Sequence, residues 1–270
     1  MGGGKVRIVG YLPWVTFEET AAPVAGRTPV LTVVQHDQDV PLDLFSDWLD
    51  GVEIRTVRAW AGDAIPDVTR VGAGLLVLGG RMNAHDDDVA PWLPATRALL
   101  AAAVAARVPT LGICLGAQLL AVACGGRVQV AAPPGLESGI IDIHWRPEAA
   151  RDPLLGALAA AGRTAPVPSL HADAVVDLPP AAVWLGSSDM YAYQAFRLGS
   201  ACGVQFHPEA GADLLTRWAQ GAGVDGAAVR AAYAAREPEI VATGRAIAGR
   251  FASLVRQSGT RSSASTIVYA

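Results

Sequence analysis

The sequence predicts an α/β fold: a layered domain with a largely parallel central sheet flanked by helices, followed by a C-terminal helical extension. Three observations carry this expectation. From residue 29 onward, short β-branched runs alternate with helix-like segments. The runs "GLLVLGG" and "VPTLGI" are apolar without alternation, as expected for strands covered on both faces. After Gly223 the chain becomes Ala-rich with regularly placed Arg, which reads as one or two helices broken near Pro238.

Along the chain, residues 1–28 carry Gly, Pro and acidic punctuation and read as an N-terminal extension. Strands are expected at 30–34, 52–57, 75–78, 109–113, 140–143, 183–185, 194–196 and 203–206. Helices are expected at 42–49, 94–106, 116–123 and 212–219. The close spacing of strands between 181 and 206 implies antiparallel pieces beside the parallel ones. Residues 29–220 thus form the main domain and 221–270 an Ala-rich helical extension. The closing "RQSGTRSSASTIVYA" reads as a flexible tail.

Composition excludes several classes of function. With 51% hydrophobic and 17% charged residues over 270 positions, the chain is globular and can bury a large core. The longest apolar run, 98–106, lies between Arg97 and Arg107 and is far short of the roughly 20 residues a membrane helix needs. A net charge of -4 argues against nucleic acid as a partner. "MGGGKVRIVGYLPWV" lacks the sustained apolar stretch of a secretory signal. Cys114, Cys124 and Cys202 are odd in number, widely spaced and without a CxxC, so neither a disulfide framework nor a zinc site is expected. The expectation is a cytoplasmic protein with no cofactor and no metal.

Chemistry enters at "LGICLGAQLLA", where a strand-like run meets a helix-like one at Cys114. Gly112 and Gly116 remove side chains where a tight strand–turn–helix would bring two backbones together, the construction of a nucleophile elbow. Such a turn sets the sulfur at a helix N-terminus, whose free N–H groups and dipole favour the thiolate. The Leu115 N–H is then placed to stabilise an oxyanion. Taken alone, GxCxG also suits a cysteine packed at a strand–helix junction. The second piece is "GVQFHPE", a strand-like run ending in His207, Pro208 and Glu209. A thiol nucleophile needs a base, and the base an orienting carboxylate. His207 and Glu209 supply both. HxE by itself is as readily a surface pair, so it is the conjunction of the two motifs that favours catalysis.

These motifs resemble those of the class I (triad-type) glutamine amidotransferases, and in particular the stand-alone relatives of the GMP synthetase amidotransferase domain. "PTLGICLGAQLLA" and "GVQFHPE" are similar to that family's nucleophile and His-Glu motifs. "LLVLGGRMNAHDDDVAPWL" resembles its oxyanion strand, and "ESG" at 137–139 and "HADAVVDLP" at 171–179 fall in the expected order. The resemblance covers roughly residues 29–220. It implies that Cys114 attacks the side-chain amide of glutamine and that His207 protonates the departing ammonia and then activates water. Glu209 would orient the imidazole. Gly80 and Leu115 would supply oxyanion N–H groups, with Gly79 shaping the loop. Gln118 would face the α-amino and carboxylate end of the substrate, and Leu170, His171, Ala172 and Asp173 would complete that pocket mainly through their backbone. His171 and Asp173 are open to a structural or partner-facing reading as well.

Arg81 departs from the pattern, because the family usually has proline after the paired glycines. An arginine there adds a mobile charge near the active-site mouth, either to select a carboxylate-bearing substrate or because the loop reshapes when a partner binds. His36, His85 and His144 have no motif support. Asp86–Asp88 reads as a solvated face, and Cys124 and Cys202 as core or semi-buried thiols. Three readings of function follow. The leading one is a glutaminase component that passes ammonia to a separate acceptor-activating synthetase, since the chain shows no synthetase domain and no P-loop. A stand-alone γ-glutamyl peptidase or hydrolase would use the same thioester. A catalytically silent regulatory or binding protein is disfavoured by the complete Cys114, His207, Glu209 set.

Overall fold

A computed structural model of the protein describes residues 28–266, with side chains through residue 260. The expected N-terminal extension, apart from its last residue, lies outside the described residues. The central sheet has nine strands: β1 (Val30–Gln35), β2 (Glu53–Arg58), β3 (Gly74–Val77), β4 (Thr110–Ile113), β6 (Glu137–Trp145), β7 (Thr164–His171), β9 (Val183–Ser187), β10 (Ala195–Leu198) and β11 (Ala201–Val204). Their order is β2-β1-β3-β4-β11-β10-β9-β6-β7. The five strands from β2 to β11 are parallel, and antiparallel pairing begins at β10. A separate pair, β5 (Arg127–Gln129) and β8 (Ala174–Asp177), is antiparallel. The sheet is therefore mixed, with a parallel core, as the continuous apolar runs predict.

Helices cover both faces. The four strand residues of β3 and of β4 are all buried, because each face of the sheet meets a helix layer. On one face Leu75 and Val77 pack with Leu99 and Leu100 of α2 (Leu93–Ala105) and with Leu119 and Leu120 of α3 (Leu115–Ala123). On the other, Leu76, Leu111, Val204 and Phe206 pack with Phe45 of α1 (Phe45–Trp48) and with Ile247, Phe251 and Val255. These last three belong to α6 (Gly226–Thr266), which follows α4 (Gly156–Ala161) and α5 (Ala212–Gly221). α6 is thus a wall of the core. Truncating a buried side chain such as Phe251 to Ala removes about 3–5 kcal/mol of stability.

Three expectations are corrected here. α6 does not break at Pro238. The proline leaves the Ala234 carbonyl without its helical donor, but both residues are exposed, so water can take the carbonyl. Meanwhile Tyr233 and Ile240 are buried on the opposite face and hold the axis. The helix also runs through the Ser-rich stretch to Thr266, where composition alone suggests a flexible tail. Finally, β7 carries Pro166 and Pro168 and has no counterpart among the expected strands. It is an edge strand, and the Pro168 carbonyl points away from β6 to accept the His207 N–H at 2.8 Å, so the missing proline donors lie on the open side.

The regular arginines of α6 tie it to the body. Arg236 grips Asp142 in a fork at 2.9 and 3.0 Å. Arg245 stacks over Trp48, and Arg250 and Arg256 donate to the Pro153 and Asp50 carbonyls. Arg230 pairs with Asp213 on α5. No described helix is long and apolar enough to cross a membrane.

Candidate active site

Three neighbouring parallel strands end at one place, and each delivers a loop there: β3 leads to Gly79 and Gly80, β4 to Cys114, and β11 to His207. Crevices at the carboxyl ends of parallel strands are where such sheets bind ligands.

Cys114 sits between β4 and α3 with φ 51° and ψ -108°, a backbone conformation that costs an L residue on the order of 1–3 kcal/mol. The two glycines make it feasible. A Cβ on Gly112 would lie 2.6 Å from the Gly116 carbonyl oxygen, and one on Gly116 would lie 2.1 Å from that of Val77. Backbone bonds then clamp the turn, with Cys114 N–H on the Val204 carbonyl at 2.8 Å and Gln118 N–H on the Cys114 carbonyl at 3.0 Å. Leu115 opens α3, so its N–H has no partner within the helix.

His207 is buried against the sulfur. Its Nδ1 lies 2.8 Å from Glu209 Oε1, and the ring also hydrogen-bonds Cys114. Burial by itself would lower the imidazole pKa. The Glu209 carboxylate and the Cys114 thiolate outweigh it and raise the pKa to about 10. Glu209 is fully buried, and among the described residues its Oε2 has no hydrogen-bond partner. The Trp218 ring covers His207 at 4.8 Å between centroids, held by its indole N–H on the Asp39 carbonyl at 2.8 Å. A thiol held against a base that a carboxylate orients is an arrangement for nucleophilic attack.

A cavity of about 740 Å³ opens over these groups. Cys114, Leu115, Gln118, Gly80, His207 and the whole Leu170, His171, Ala172, Asp173 segment line it, while Glu209 sits behind His207. Every site residue expected from the sequence is therefore at one place. Gln118 Nε2 donates to the Asp173 carbonyl at 3.0 Å and to Gln205 Oε1 at 3.2 Å, tying the helix to the loop. Gly79 packs close by, since a Cβ there would lie 3.0 Å from His207 Cε1.

Arg81 is corrected. Its side chain is exposed at the mouth but anchored, with Nε 2.7 Å and Nη2 3.1 Å from the Asp37 carboxylate and Nη2 3.2 Å from Asp39. Burial works to raise the Asp37 pKa, but hydrogen bonds from Arg81 and the Asp39 N–H leave it below the usual range. The guanidinium is a local tie for the loop after β1, and its charge is already answered.

Two participants are absent from the sequence reading. Gln205 places Nε2 3.5 Å from the Cys114 sulfur; it lies inside "GVQFHPE", but only the register of β11 turns it inward. Glu137 accepts from His171 Nε2 at 3.0 Å, Gln194 Nε2 at 2.6 Å and the Ser188 hydroxyl at 2.5 Å, while His171 Nδ1 meets the Asp173 carbonyl at 3.0 Å. This buried cluster backs the loop that lines the cavity, and no local signal marks Gln194 or Ser188 as its members. His171 thus faces the cluster with its ring while its backbone borders the cavity.

The family model of the class-I glutamine amidotransferases matches residues 53–215, which include Cys114, His207 and Glu209 and stop short of α6. The glutamine-hydrolysing subunit of the GMP synthase of Halobacterium salinarum is 39% identical over 106 residues, 38% of this chain and 53% of that protein. Its counterpart from Methanosarcina barkeri is 36% identical over 118 residues, 41% of this chain and 58% of that protein. The chain thus spans about half the length of the curated relatives it matches. Among solved structures, a glutamine amidotransferase from Thermotoga maritima superposes with a TM-score of 0.73 at 23% identity, over 83% of this chain and 98% of that one, which shows the shared fold. A glutamine amido transferase from Methylobacillus flagellatus gives 0.65 at 28% identity, over 86% of this chain and 94% of that one. With the family model spanning more than half of its residues, the chain belongs to the class I glutamine amidotransferases.

Proposed function

We propose that this protein is a glutaminase component that hydrolyses the side-chain amide of glutamine and supplies the ammonia to a separate acceptor enzyme. The observation that carries the reading is the Cys114–His207–Glu209 chain of contacts, buried at the floor of a cavity and anchored at a strained elbow. In the first half-reaction the Cys114 sulfur adds to the amide carbon. The N–H groups of Leu115 and Gly80 stabilise the oxyanion. His207, protonated at neutral pH, gives its proton to the leaving ammonia as the C–N bond breaks, leaving a γ-glutamyl thioester. In the second, His207 takes a proton from water, the hydroxide adds to the thioester, and glutamate leaves while the thiol recovers its proton. Glu209 holds the ring and its charge throughout. Gln118 and the backbone of 170–173 meet the α-amino and carboxylate end of glutamine.

The acceptor reading is supported by the names of the relatives, each a glutamine-hydrolysing subunit of a GMP synthase. The volume of the cavity, in the range that holds a drug-sized ligand, also suits a γ-glutamyl amide bulkier than glutamine, which is the second reading. The test is ammonia release from glutamine against cleavage of a γ-glutamyl peptide panel, with Cys114→Ala as control. Glutaminase activity that rises with an added synthetase partner supports the first reading. Peptide cleavage without glutaminase activity selects the second. Turnover persisting in Cys114→Ala refutes both.

A further inference from the structure

We infer that α6, which lies beyond the residues shared with the family, is a positioning element of the active site, and that Gly244 is the position at which it bears on the catalytic turn. The inference rests on the triad reading above for the meaning of His207 and Glu209, and on packing for everything else.

The turn His207–Ala210 is held from three sides. From β7, the Pro168 carbonyl accepts the His207 N–H at 2.8 Å; from the loop ahead of α1, Leu44 N–H donates to the Glu209 carbonyl at 3.1 Å. The third side is α6. A Cβ on Gly244 would lie 2.4 Å from the Pro208 carbonyl oxygen and 2.8 Å from Trp48 Cζ3. A helical Gly in a long Ala-rich helix weakens the helix, yet here any side chain would strike the backbone between the two triad residues. One side chain of α6 reaches the same turn, because the Tyr233 hydroxyl donates to the Ala210 carbonyl at 3.5 Å. The helix cannot retreat from such a clash. Ile240, Thr243, Ile247 and Ala248 are buried on either side of Gly244, and Arg236 is forked onto Asp142. The part that gives is the turn itself, whose displacement would loosen the 2.8 Å His207–Glu209 bond and the contact with Cys114.

A matched control lies on the same helix. Gly249 has open space around its Cβ direction, with nothing within 4 Å. Gly244→Ala and Gly249→Ala therefore change helix propensity alike and differ in what the new methyl meets. The full-length variants would be compared by the iodoacetamide alkylation rate of Cys114, assigned by peptide mapping so that Cys124 and Cys202 do not contribute, and by kcat and KM for glutamine. Circular dichroism would report folding. Gly244→Ala is expected to slow alkylation and lower kcat by about ten- to a hundredfold with KM unchanged, while Gly249→Ala behaves as wild type. Wild-type alkylation in a folded Gly244→Ala protein, or an equal loss in Gly249→Ala, overturns the inference. If Gly244→Ala fails to fold, Tyr233→Phe decides: a slower alkylation supports positioning by α6, and an unchanged rate overturns it. Because alkylation needs no turnover, a difference between the glycine variants in a protein inert toward glutamine would uphold the positioning role and refute the glutaminase reading.

Discussion

Two histidines lie buried at the carboxyl ends of parallel strands, and the protein treats them oppositely. His36 follows β1, accepts the Trp92 indole N–H at 2.9 Å on Nδ1, and leaves Nε2 without a partner among the described residues. Burial alone lowers its pKa to about 4. His207 is as deeply buried, but Glu209 and Cys114 reverse the effect of burial and raise it to about 10. Burial therefore does not decide what an imidazole becomes; the charges buried with it do. One ring is a neutral piece of core, and the other holds a proton at the pH where it has to give it away.

The largest effect should come from erasing that difference. Glu209→Gln keeps the size of the side chain and removes its charge. It is expected to lower kcat by about 10²–10⁴ and to move the alkaline limb of the rate profile from near 10 toward neutral pH, both read from a glutaminase pH series. An alkaline limb that stays near 10 would show that Glu209 is not what raises His207.

The second test concerns stability. The unfolded chain protonates His36 near its ordinary value, about 6.5, whereas the folded chain resists until about 4. Between these values the unfolded state binds more protons, so stability falls as pH drops through that window and levels off below it. The loss approaches about 3 kcal/mol. His207 has the opposite sign: its contribution is full below about 6.5 and is lost as pH rises through about 10. Urea unfolding midpoints from pH 4 to 10 would read both slopes. His36→Gln, which keeps an acceptor for Trp92 and cannot titrate, should flatten the acid side only. A slope unchanged in that variant would assign the acid loss elsewhere.

The smallest effect is expected at Arg81. Its guanidinium is largely exposed, so losing the ion pair with Asp37 should cost about 0–1 kcal/mol. Arg81→Ala should leave the preference between glutamine and γ-glutamyl peptides unchanged, because Asp37 and Asp39 already answer the charge. A specificity shift measured in kcat/KM for the two substrates would restore a role in substrate selection.

The residues that carry chemistry were legible because each is marked locally. Gly112 and Gly116 flag the elbow, and Pro208 flags the turn between His207 and Glu209. The buried parallel strands were legible because a strand covered on both faces must be apolar throughout. β7 was not, since Pro166 and Pro168 disqualify a strand unless it lies at an edge, and edge position is a property of the whole sheet. Pro238 misled in the same way, because the penalty it imposes is local while the burial of Tyr233 and Ile240 that overrides it is not.

The sequence by itself determined the fold class, the order of the motifs and the chemical identity of the groups at the site, since these depend on residue type and short spacing. Tertiary structure decided which charge sits beside which ring, and so the opposite fates of His36 and His207. It also decided that Arg81 is tied down, that Gln205 turns toward the sulfur, and that a helix more than a hundred residues after Cys114 presses on the turn that serves it. The physical reason is range: backbone propensity acts over a few residues, whereas burial, charge pairing and steric exclusion act between whichever residues the sheet brings together.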